Sequence, residues 1–329
     1  MLKETLKYPT IDKILKYEWR IKMQKSNKIY TNILFVTFSA LLCCALWGSA
    51  TPMIKIGYQL LLPERNTSST ILFAGIRFML AGIITILIYS VARRKFLYPQ
   101  KENISKVLKI SCFQTIIQYV FFYIGLANTT GVKGTIISGS NVFFAIIIAS
   151  IIFRQEKLTV GKIIGCILGF AGIIVVNLNG LDLNMNFMGD GFVLFSAISY
   201  ATSSVLMKRY SKYEDPVILS GYQFVAGGIF MILVGLAFGG VVSIADAAGF
   251  WVLMYLSVLS AVAYSLWGIL LKYNPVSKVT VFSFTIPVFG VVLSYLLLTS
   301  ENSAISPINL LTALLLICSG VFILNYKND

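Results

Sequence analysis

The sequence has no histidine, and it has few acidic residues. Among its 329 residues 13 are Asp or Glu, and charged residues of both signs make up 12% of the chain. A soluble domain carries about 25% charged residues, because it needs polar side chains to cover its surface. A chain without imidazole also lacks the commonest metal ligand and proton carrier. These absences exclude a water-soluble globule, and they predict a protein that is not an enzyme and holds no metal or cofactor.

Long apolar runs take the place of the missing charge. Hydrophobic residues make up 57% of the chain, and its mean hydropathy is +0.82. A helix crosses a bilayer core about 30 Å thick with roughly 20 apolar residues. Ten runs fit this requirement: 31–54, 71–92, 105–126, 134–153, 161–179, 189–208, 217–240, 251–271, 279–298 and 306–325. The runs are apolar at odd and even positions alike, which favours helices over barrel strands. We expect an all-α polytopic protein of the cell membrane, in a bacterium the inner membrane.

The 27 Lys and Arg residues are unevenly distributed between the two sides of this arrangement. With a cytoplasmic N-terminus, 23 of them fall in inside segments, whereas Lys55, Arg65 and Lys133 fall outside and Arg77 falls within a run. Positive charge marks cytoplasmic loops. We expect both termini in the cytoplasm. We attribute the excess of Lys and Arg to orientation in the lipid bilayer and not to nucleic-acid binding. Residues 1–30 form a basic cytoplasmic tail; a surface-lying helix, a mobile tail and a true start at Met23 stay open as alternatives.

The chain contains an internal repeat, residues 31–180 and 189–325. Trp47 to Lys55 aligns with Tyr200 to Lys208, and from Gly75 to residue 143 the alignment continues at a constant offset of 146. This offset pairs Gly75 with Gly221 and Phe78 with Phe224. Each half holds five runs, and an odd number makes the second half enter the membrane from the opposite side. Inverted repeats are typical of secondary transporters whose substrate site lies at mid-membrane between the halves.

Several segments resemble the EamA family of the drug/metabolite transporter superfamily. They are "ALWGSATPMIK" (45–55), "GIRFMLAG" (75–82), the stretch 128–176 and "IPVFGVVLSYLLLTSE" (286–301). The resemblance implies ten helices in two inverted five-helix repeats, secondary transport of small metabolites, often export, and a central cavity that Trp47 and Ser49 line. Two residues depart from the family pattern: Asn141 stands where the first half usually has proline, and Ser300 precedes Glu301 where glycine is usual.

Polar side chains at membrane depth are costly, and those that face a cavity are candidates for substrate binding. The candidates are Trp47, Ser49, Gln114, Gln118, Asn141, Tyr264, Trp267 and Ser283. Together they predict an uncharged pocket with aromatic walls, suited to a zwitterionic or neutral polar metabolite. The alternative for each of them is a hydrogen bond between helices. Pro52 and Pro287 are candidates for gating bends, against the alternative of static kinks.

Arg77 is the only basic residue well inside a run. One interpretation is that Arg77 binds the carboxylate of a substrate. The others are structural: a pair with Glu64, a bond to a carbonyl oxygen, or a side chain that extends to the membrane surface. Its aligned partner is Gln223, so the repeat does not require a charge, and the structural interpretations are favoured. Gly161, Gly165 and Gly169 predict a close helix-packing seam, and the resemblance implies that helices 5 and 10 join the halves.

The function predicted is a permease for a small organic metabolite, an amino acid or a related compound, exported by alternating access. The alternative in the same class is a carrier of nucleotide sugars or lipid-linked sugars. The alternative in another class is a membrane enzyme or assembly factor that transports nothing. No acidic residue lies in the middle of a run, so facilitated or exchange transport stands beside proton coupling. A monomer and a homodimer are both compatible with the sequence.

Overall fold

The computed structural model describes residues 28–64, 66–178, 184–297 and 307–326. Most of the basic tail and the departure at Ser300 and Glu301 lie outside these residues. The described parts contain helices and connecting turns and no strand. This agrees with the all-α membrane fold that the apolar runs predict.

The first half contributes five helical segments. They are α1 (Ile33–Leu61), α2 (Thr67–Ala92), α3 (Lys101–Ala127), α4 (Gly131–Gly139 continued by Asn141–Ile147 and Ile148–Ile152) and α5 (Val160–Val176). A π-helical stretch, Cys112–Ile117, interrupts α3, and α4 breaks at Ser140. These two segments carry the candidate site residues Gln114, Gln118 and Asn141.

The second half repeats the pattern. Its segments are α6 (Phe187–Tyr210), α7 (Pro216–Ala237), α8 (Ala247–Tyr273), α9 (Val276–Thr280, Val281–Thr285 and Ile286–Leu297) and α10 (Pro307–Asn325). The middle part of α9, Val281–Thr285, is 3₁₀-helical. In the described parts of the chain, nine segments are long and apolar enough to cross a membrane, and α5 is a shorter apolar helix.

Several helices extend beyond the apolar runs that predict them. The helix α1 continues to Leu61, past the predicted end at 54, and α2 and α8 each begin four residues early. Capping residues set these starts: the side chains of Asn66 and Asp246 accept hydrogen bonds from the backbone N–H groups of Ser69 and Gly249. An apolar run measures only the hydrocarbon core, whereas a capped helix continues through the polar interface.

The packing of α2 against α7 shows that the halves run in opposite senses. These helices are repeat partners and meet through glycines. A Cβ atom on Gly82 would lie 2.5 Å from the Gly221 carbonyl oxygen, and one on Gly75 would lie 2.9 Å from that of Gly228. The start of α2 thus meets the end of α7. Equivalent helices that cross antiparallel at equivalent residues are related by a two-fold axis in the membrane plane, as in an inverted repeat.

A second glycine seam joins α5 to α10. A Cβ atom on Gly165 would lie 2.8 Å from the Gly320 carbonyl oxygen, and one on Gly169 would lie 2.1 Å from the ring of Phe284 on α9. Only glycine permits these backbones to approach so closely. Gly161, the third residue of the predicted seam, is half-buried one turn earlier on α5. The seam binds the last helix of one half to the last helix of the other.

Hydrogen bonds bring the helix ends together on two faces. On the first, the Asn274 side chain donates to the Tyr30 carbonyl oxygen and the Gln100 backbone N–H donates to Glu214. On the opposite face, the Ser243 backbone N–H donates to the Leu61 carbonyl oxygen. The first face carries most of the described basic residues, and we call it the basic face. They are Lys28, Arg93, Arg94, Lys95, Lys101, Lys106, Lys109, Arg154, Lys157, Lys162, Lys208, Arg209, Lys212, Lys272 and Lys278.

Candidate functional site

Aromatic side chains from both halves meet at the centre of the bundle. We call this group the central aromatic cluster; it comprises Trp47, Phe78, Tyr119, Tyr200, Phe224, Tyr264 and Trp267. The Trp47 ring lies with its centroid 5.1 Å from that of Tyr264 and 4.9 Å from that of Trp267. Helices α1, α2, α3, α6, α7 and α8 each contribute to it. A group that both halves build changes shape when the halves move against each other.

The pseudo-two-fold axis passes through this cluster. The repeat partners Phe78 and Phe224 stack with an interplanar angle of 8° and a centroid distance of 5.1 Å. The partners Trp47 and Tyr200 meet edge to face at 6.4 Å. Residues that touch their own repeat partners lie close to the axis. Trp47 is midway along α1, between Ile33 and Leu61, so the cluster is at mid-membrane depth.

The rings carry polar atoms that lack partners. The hydroxyls of Tyr119 and Tyr264 are hydrogen-bonded at 2.9 Å. By contrast, the indole Nε1 atoms of Trp47 and Trp267 and the Tyr200 hydroxyl are buried and form no hydrogen bond with any described residue. Leaving such an atom unsatisfied costs about 1–3 kcal/mol. Three of them in one cluster mark a place where polar groups of a bound molecule can be accommodated.

Arg77 is buried beside this cluster. It is 3% exposed, and its guanidinium carbon lies 4.4 Å from the Phe78 ring centroid and 6.0 Å from that of Tyr119. Its Nε has no hydrogen-bond partner, and no carboxylate among the described residues lies within ion-pair distance of it. Glu64 is exposed and accepts a bond from Asn66 instead. The pair with Glu64 that the sequence suggested for Arg77 is therefore not formed, and the side chain does not extend to the surface.

Gln118 lies beside the central aromatic cluster, next to the Tyr264 side chain. Its Oε1 atom and that of Gln114 are buried without a partner. Gln114 belongs to the π-helical stretch of α3, and such stretches occur frequently at functional sites. Ser49 is different: its hydroxyl is 2.7 Å from that of Tyr255 on α8 and donates to the Leu46 carbonyl oxygen. Ser49 therefore links α1 to α8.

Asn141 and Ser283 lie at the bends of α4 and α9. The Asn141 amide donates to the Ser138 carbonyl oxygen, a local bond at the break before Asn141–Ile147. Ser283 is 3% exposed, within the 3₁₀ stretch that precedes Pro287. Within the described ranges, no hydrogen bond joins either residue to the central aromatic cluster. Asn141 and Pro287 are repeat partners, so both halves bend at the same point.

Pro52 lies inside α1 without ending the helix. Its ring leaves the Gly48 carbonyl oxygen without an intrahelical donor. That oxygen faces α9, where a Cβ atom on Gly290 would lie 3.6 Å away. The proline and its freed carbonyl thus stand at the crossing of α1 and α9, one turn beyond Trp47.

Tyr200 is a site residue that the sequence analysis did not single out, and Phe78 and Phe224 were noted there only as aligned repeat partners. The repeat alignment contains the signal for all three, because it pairs Tyr200 with Trp47 and Phe78 with Phe224. Aromatic pairs at aligned positions on equivalent helices are expected to meet if those helices cross at the axis. Hydropathy alone cannot identify them, since the rings lie within uniformly apolar runs.

Polar contacts close both ends of the bundle. On the basic face, Glu156 accepts hydrogen bonds from the Ser277 backbone N–H at 3.1 Å and from its hydroxyl at 2.8 Å. On the opposite face, Asp190 accepts a short bond from the Thr129 hydroxyl and pairs with Lys133 at 3.4 Å. Asp190 and Lys133 are 1% and 8% exposed. Each contact set ties one half to the other at its end of the bundle.

Each half of the chain separately matches one known protein family. Residues 34–178 and 187–326 each match the model of the EamA-like transporter family. The uncharacterized transporter YvbV of Bacillus subtilis is 26% identical over 298 residues, 86% of this chain and 89% of that protein. An uncharacterized transporter of Archaeoglobus fulgidus is 25% identical over 258 residues, 77% of this chain and 86% of that protein.

A solved crystal structure has the same fold. It is 16% identical in sequence, superposes with a TM-score of 0.72, and is matched over 88% of this chain and 96% of its own. Together with the apolar helices, these matches identify a multi-pass membrane protein with bacterial relatives, consistent with the plasma membrane.

Proposed function

The chain belongs to the EamA-like transporter family, and from this we propose that it exports a small organic metabolite, an amino acid or a related compound, by alternating access. The observation that carries the proposal is the central aromatic cluster with its unpartnered polar atoms. The substrate occupies this place and supplies the hydrogen bonds that Trp47, Trp267 and Tyr200 lack. Because both halves form the cluster, their relative movement exposes it to one side and then to the other.

The chemistry around the cluster favours a substrate with one carboxylate and an apolar or aromatic body. Arg77 supplies a single buried positive charge, and no acidic side chain among the described residues neutralises it there. A desolvated charge of this kind requires an opposite charge for compensation. The ring faces of Trp47 and Tyr264 provide apolar contact and attract an ammonium group. A zwitterionic amino acid offers a carboxylate to Arg77, and an apolar side chain and an ammonium group to the rings.

The closed ends correspond to an occluded intermediate of the cycle. The rings of the central aromatic cluster are in mutual contact, so the substrate enters when the halves separate on one side. Opening the basic face breaks the contact between Glu156 and Ser277, and opening the opposite face breaks that between Asp190 and Thr129. Breaking either set of polar contacts costs little net free energy, because water replaces each lost hydrogen-bond partner.

The test is transport by the purified full chain in proteoliposomes, with a panel of amino acids and, for comparison, a nucleotide sugar, each with and without a pH gradient. Trp47→Phe keeps the ring and removes the unpartnered N–H; we expect about a tenfold loss of transport at unchanged membrane yield. Trp251→Phe is the control, because Trp251 is 67% exposed and lies outside the cluster.

Two outcomes would contradict the proposal. A correctly folded chain that moves no solute of the panel would favour a membrane enzyme or assembly factor. Equal transport by both tryptophan variants and the unmodified chain would remove the central aromatic cluster as the substrate site while leaving the transporter function intact.

A further inference from the structure

A cavity of about 200 Å³ lies at the basic face, away from the central aromatic cluster. It is bounded by the connection between α4 and α5, by the start of α9 and by the end of α10. Its lining residues are Glu156, Lys157, Thr159, Lys162, Pro275, Ser277, Lys278 and Leu324. The helices α5 and α9 begin at this face and α10 ends there, so the cavity is at the level of the lipid headgroups.

The single acidic residue of the lining is already neutralised. Glu156 pairs with Lys162 at 3.3 Å, and both side chains are 7% exposed. Ser277 donates two further bonds to the same carboxylate. Lys162 also donates to the Lys157 carbonyl oxygen at 2.5 Å. This buried pair forms a fixed wall of the cavity and contributes no net charge.

The remaining charge of the lining is positive. Lys157 and Lys278 have neither an ion pair nor a side-chain hydrogen bond with any residue that the structure describes. The Thr159 hydroxyl is buried there without a partner, immediately before the first turn of α5. The first N–H groups of a helix carry partial positive charge. Two ammonium groups, a hydroxyl and a helix N-terminus together supply the positive charge and the hydrogen-bond donors that a phosphate group requires.

Exposed apolar side chains continue from the rim of the cavity along the membrane. On α5, Val160 is 72% exposed and Ile163 is 46% exposed, and on α10 Phe322 is 64% exposed. Val160 follows Thr159 directly in the chain. A ligand with its phosphate in the cavity can therefore lay acyl chains on these side chains. Free phosphate in water makes no use of such a surface.

We propose that this cavity binds the phosphate group of an anionic phospholipid from the surrounding membrane. The phosphate lies between Lys157 and Lys278 and accepts a hydrogen bond from Thr159, and the acyl chains lie against α5 and α10. Because α5 and α10 also form the seam between the halves, the lipid stabilises the joint around which the halves move. This site lies apart from the central aromatic cluster, and its lining comes from both halves beside the contact between Glu156 and Ser277.

The experiment measures lipid binding by the purified full chain in detergent micelles. Dioleoylphosphatidylglycerol, dioleoylphosphatidylcholine and inorganic phosphate are added separately, and the unfolding temperature is followed by tryptophan fluorescence while native mass spectrometry counts bound lipid. We expect phosphatidylglycerol to raise the unfolding temperature saturably, with one lipid bound, and phosphatidylcholine to do so weakly. If inorganic phosphate reproduces the full effect, the cavity binds a free anion and the lipid proposal is overturned.

Matched variants assign the binding to the cavity. A lysine near a membrane surface contributes about fivefold to the affinity for an anionic lipid. The double variant Lys157→Gln, Lys278→Gln should therefore weaken phosphatidylglycerol binding about tenfold or more. The control Lys109→Gln, Lys212→Gln removes the same charge from exposed positions of the basic face and should change it less than about twofold.

A third variant covers the case in which the double variant does not fold. Thr159→Val keeps the side-chain shape and removes the unpartnered hydroxyl, and we expect about a threefold weaker affinity for phosphatidylglycerol. Equal losses in the cavity and control variants, or an unchanged affinity of Thr159→Val, would show that general surface charge and not this cavity holds the lipid.

Discussion

Arg77 is the residue at which charge and burial conflict most strongly. It lies at 3% exposure against the rings of Phe78 and Tyr119, and no described carboxylate compensates it. Its repeat partner Gln223 is also fully buried but accepts a hydrogen bond from Thr115 at 2.7 Å. The two halves thus place an unpaired cation and an uncharged amide, bonded through its oxygen alone, at equivalent positions. The asymmetry gives the centre one positive pole, and under the proposed function this pole orients a substrate with a single negative end.

A comparison of carboxylates with their carboxamide analogues tests the role of Arg77. For each solute that the unmodified chain transports, we expect the carboxylate to be preferred by about tenfold to a hundredfold, since hydrogen bonds to charged groups contribute about 1.5–3 kcal/mol. Arg77→Gln should remove most of this preference, and Arg77→Lys should retain part of it. Competition for transport in proteoliposomes gives the ratio for each variant.

Arg209→Gln is the matched control, because Arg209 is an exposed cation over the Phe153 ring. It should leave the preference unchanged. A preference for carboxylates that survives in Arg77→Gln would show that Arg77 serves the packing of α2 and not the substrate.

At the scale of elements, the bends of α4 and α9 are equivalent but use different residues. In α9 a 3₁₀ stretch precedes Pro287, whereas in α4 the helix breaks at Ser140 and the Asn141 side chain donates to the Ser138 carbonyl oxygen. A side chain that bonds to its own backbone in this way bends a helix, as a proline does. The absence of the first-half proline therefore leaves the fold intact, because another residue type produces the same break.

Asn141→Pro should be tolerated. Asn141 is the first residue of the segment Asn141–Ile147, a position where proline costs no intrahelical bond. Ser140 has helical dihedral angles, as does Ile286 before Pro287, so the second half already shows that this backbone accepts a following proline. We expect the free energy of unfolding to change by about 1 kcal/mol or less. Thermal unfolding in detergent measures the change.

Ala145→Pro provides the contrast in the same segment. Ala145 is buried inside the helix, where proline removes a backbone bond and clashes with the preceding turn, at a cost of about 3 kcal/mol or more. Loss of folded protein with both substitutions would mean that the break in α4 depends on the asparagine amide itself.

At the scale of the whole molecule, charge separates the two faces. The connections between α2 and α3, α4 and α5, α6 and α7, and α8 and α9 meet at the basic face, whereas Lys55 and Lys133 are the Lys or Arg residues that the described ranges place toward the opposite one. Lys133 is moreover paired with the buried Asp190. Following the rule that positive loops stay inside, we propose that the basic face is cytoplasmic and that both termini lie there.

Cysteine labelling tests this orientation. Lys95→Cys and Lys212→Cys place thiols on the basic face, and Ala245→Cys places one on the opposite face; all three positions are exposed. With a membrane-impermeant maleimide on intact cells, we expect labelling of Ala245→Cys alone. The other two should react only after the membrane is permeabilised. Labelling of Lys95→Cys in intact cells would reverse the assignment.

The sequence by itself determined the features that depend on lipid as a solvent. Apolar length gave the membrane helices, the aligned glycines gave the repeat, and the family motifs gave the transporter class that the comparison confirms. These features could be predicted because hydrocarbon imposes the same length and backbone requirements on every spanning helix. The helix ends could not, since polar caps outside the hydrocarbon set them.

Only the tertiary structure decided which polar side chains meet. It brings Trp47, Tyr264 and Trp267 together and adds Tyr200, but it places Asn141 and Ser283 at helix bends and uses Ser49 to join α1 to α8. A helix in lipid is apolar on all sides, so its sequence has no polar face that shows which side points inward. Close packing at the glycine seams sets that rotation, and it thereby determines which residues form the site.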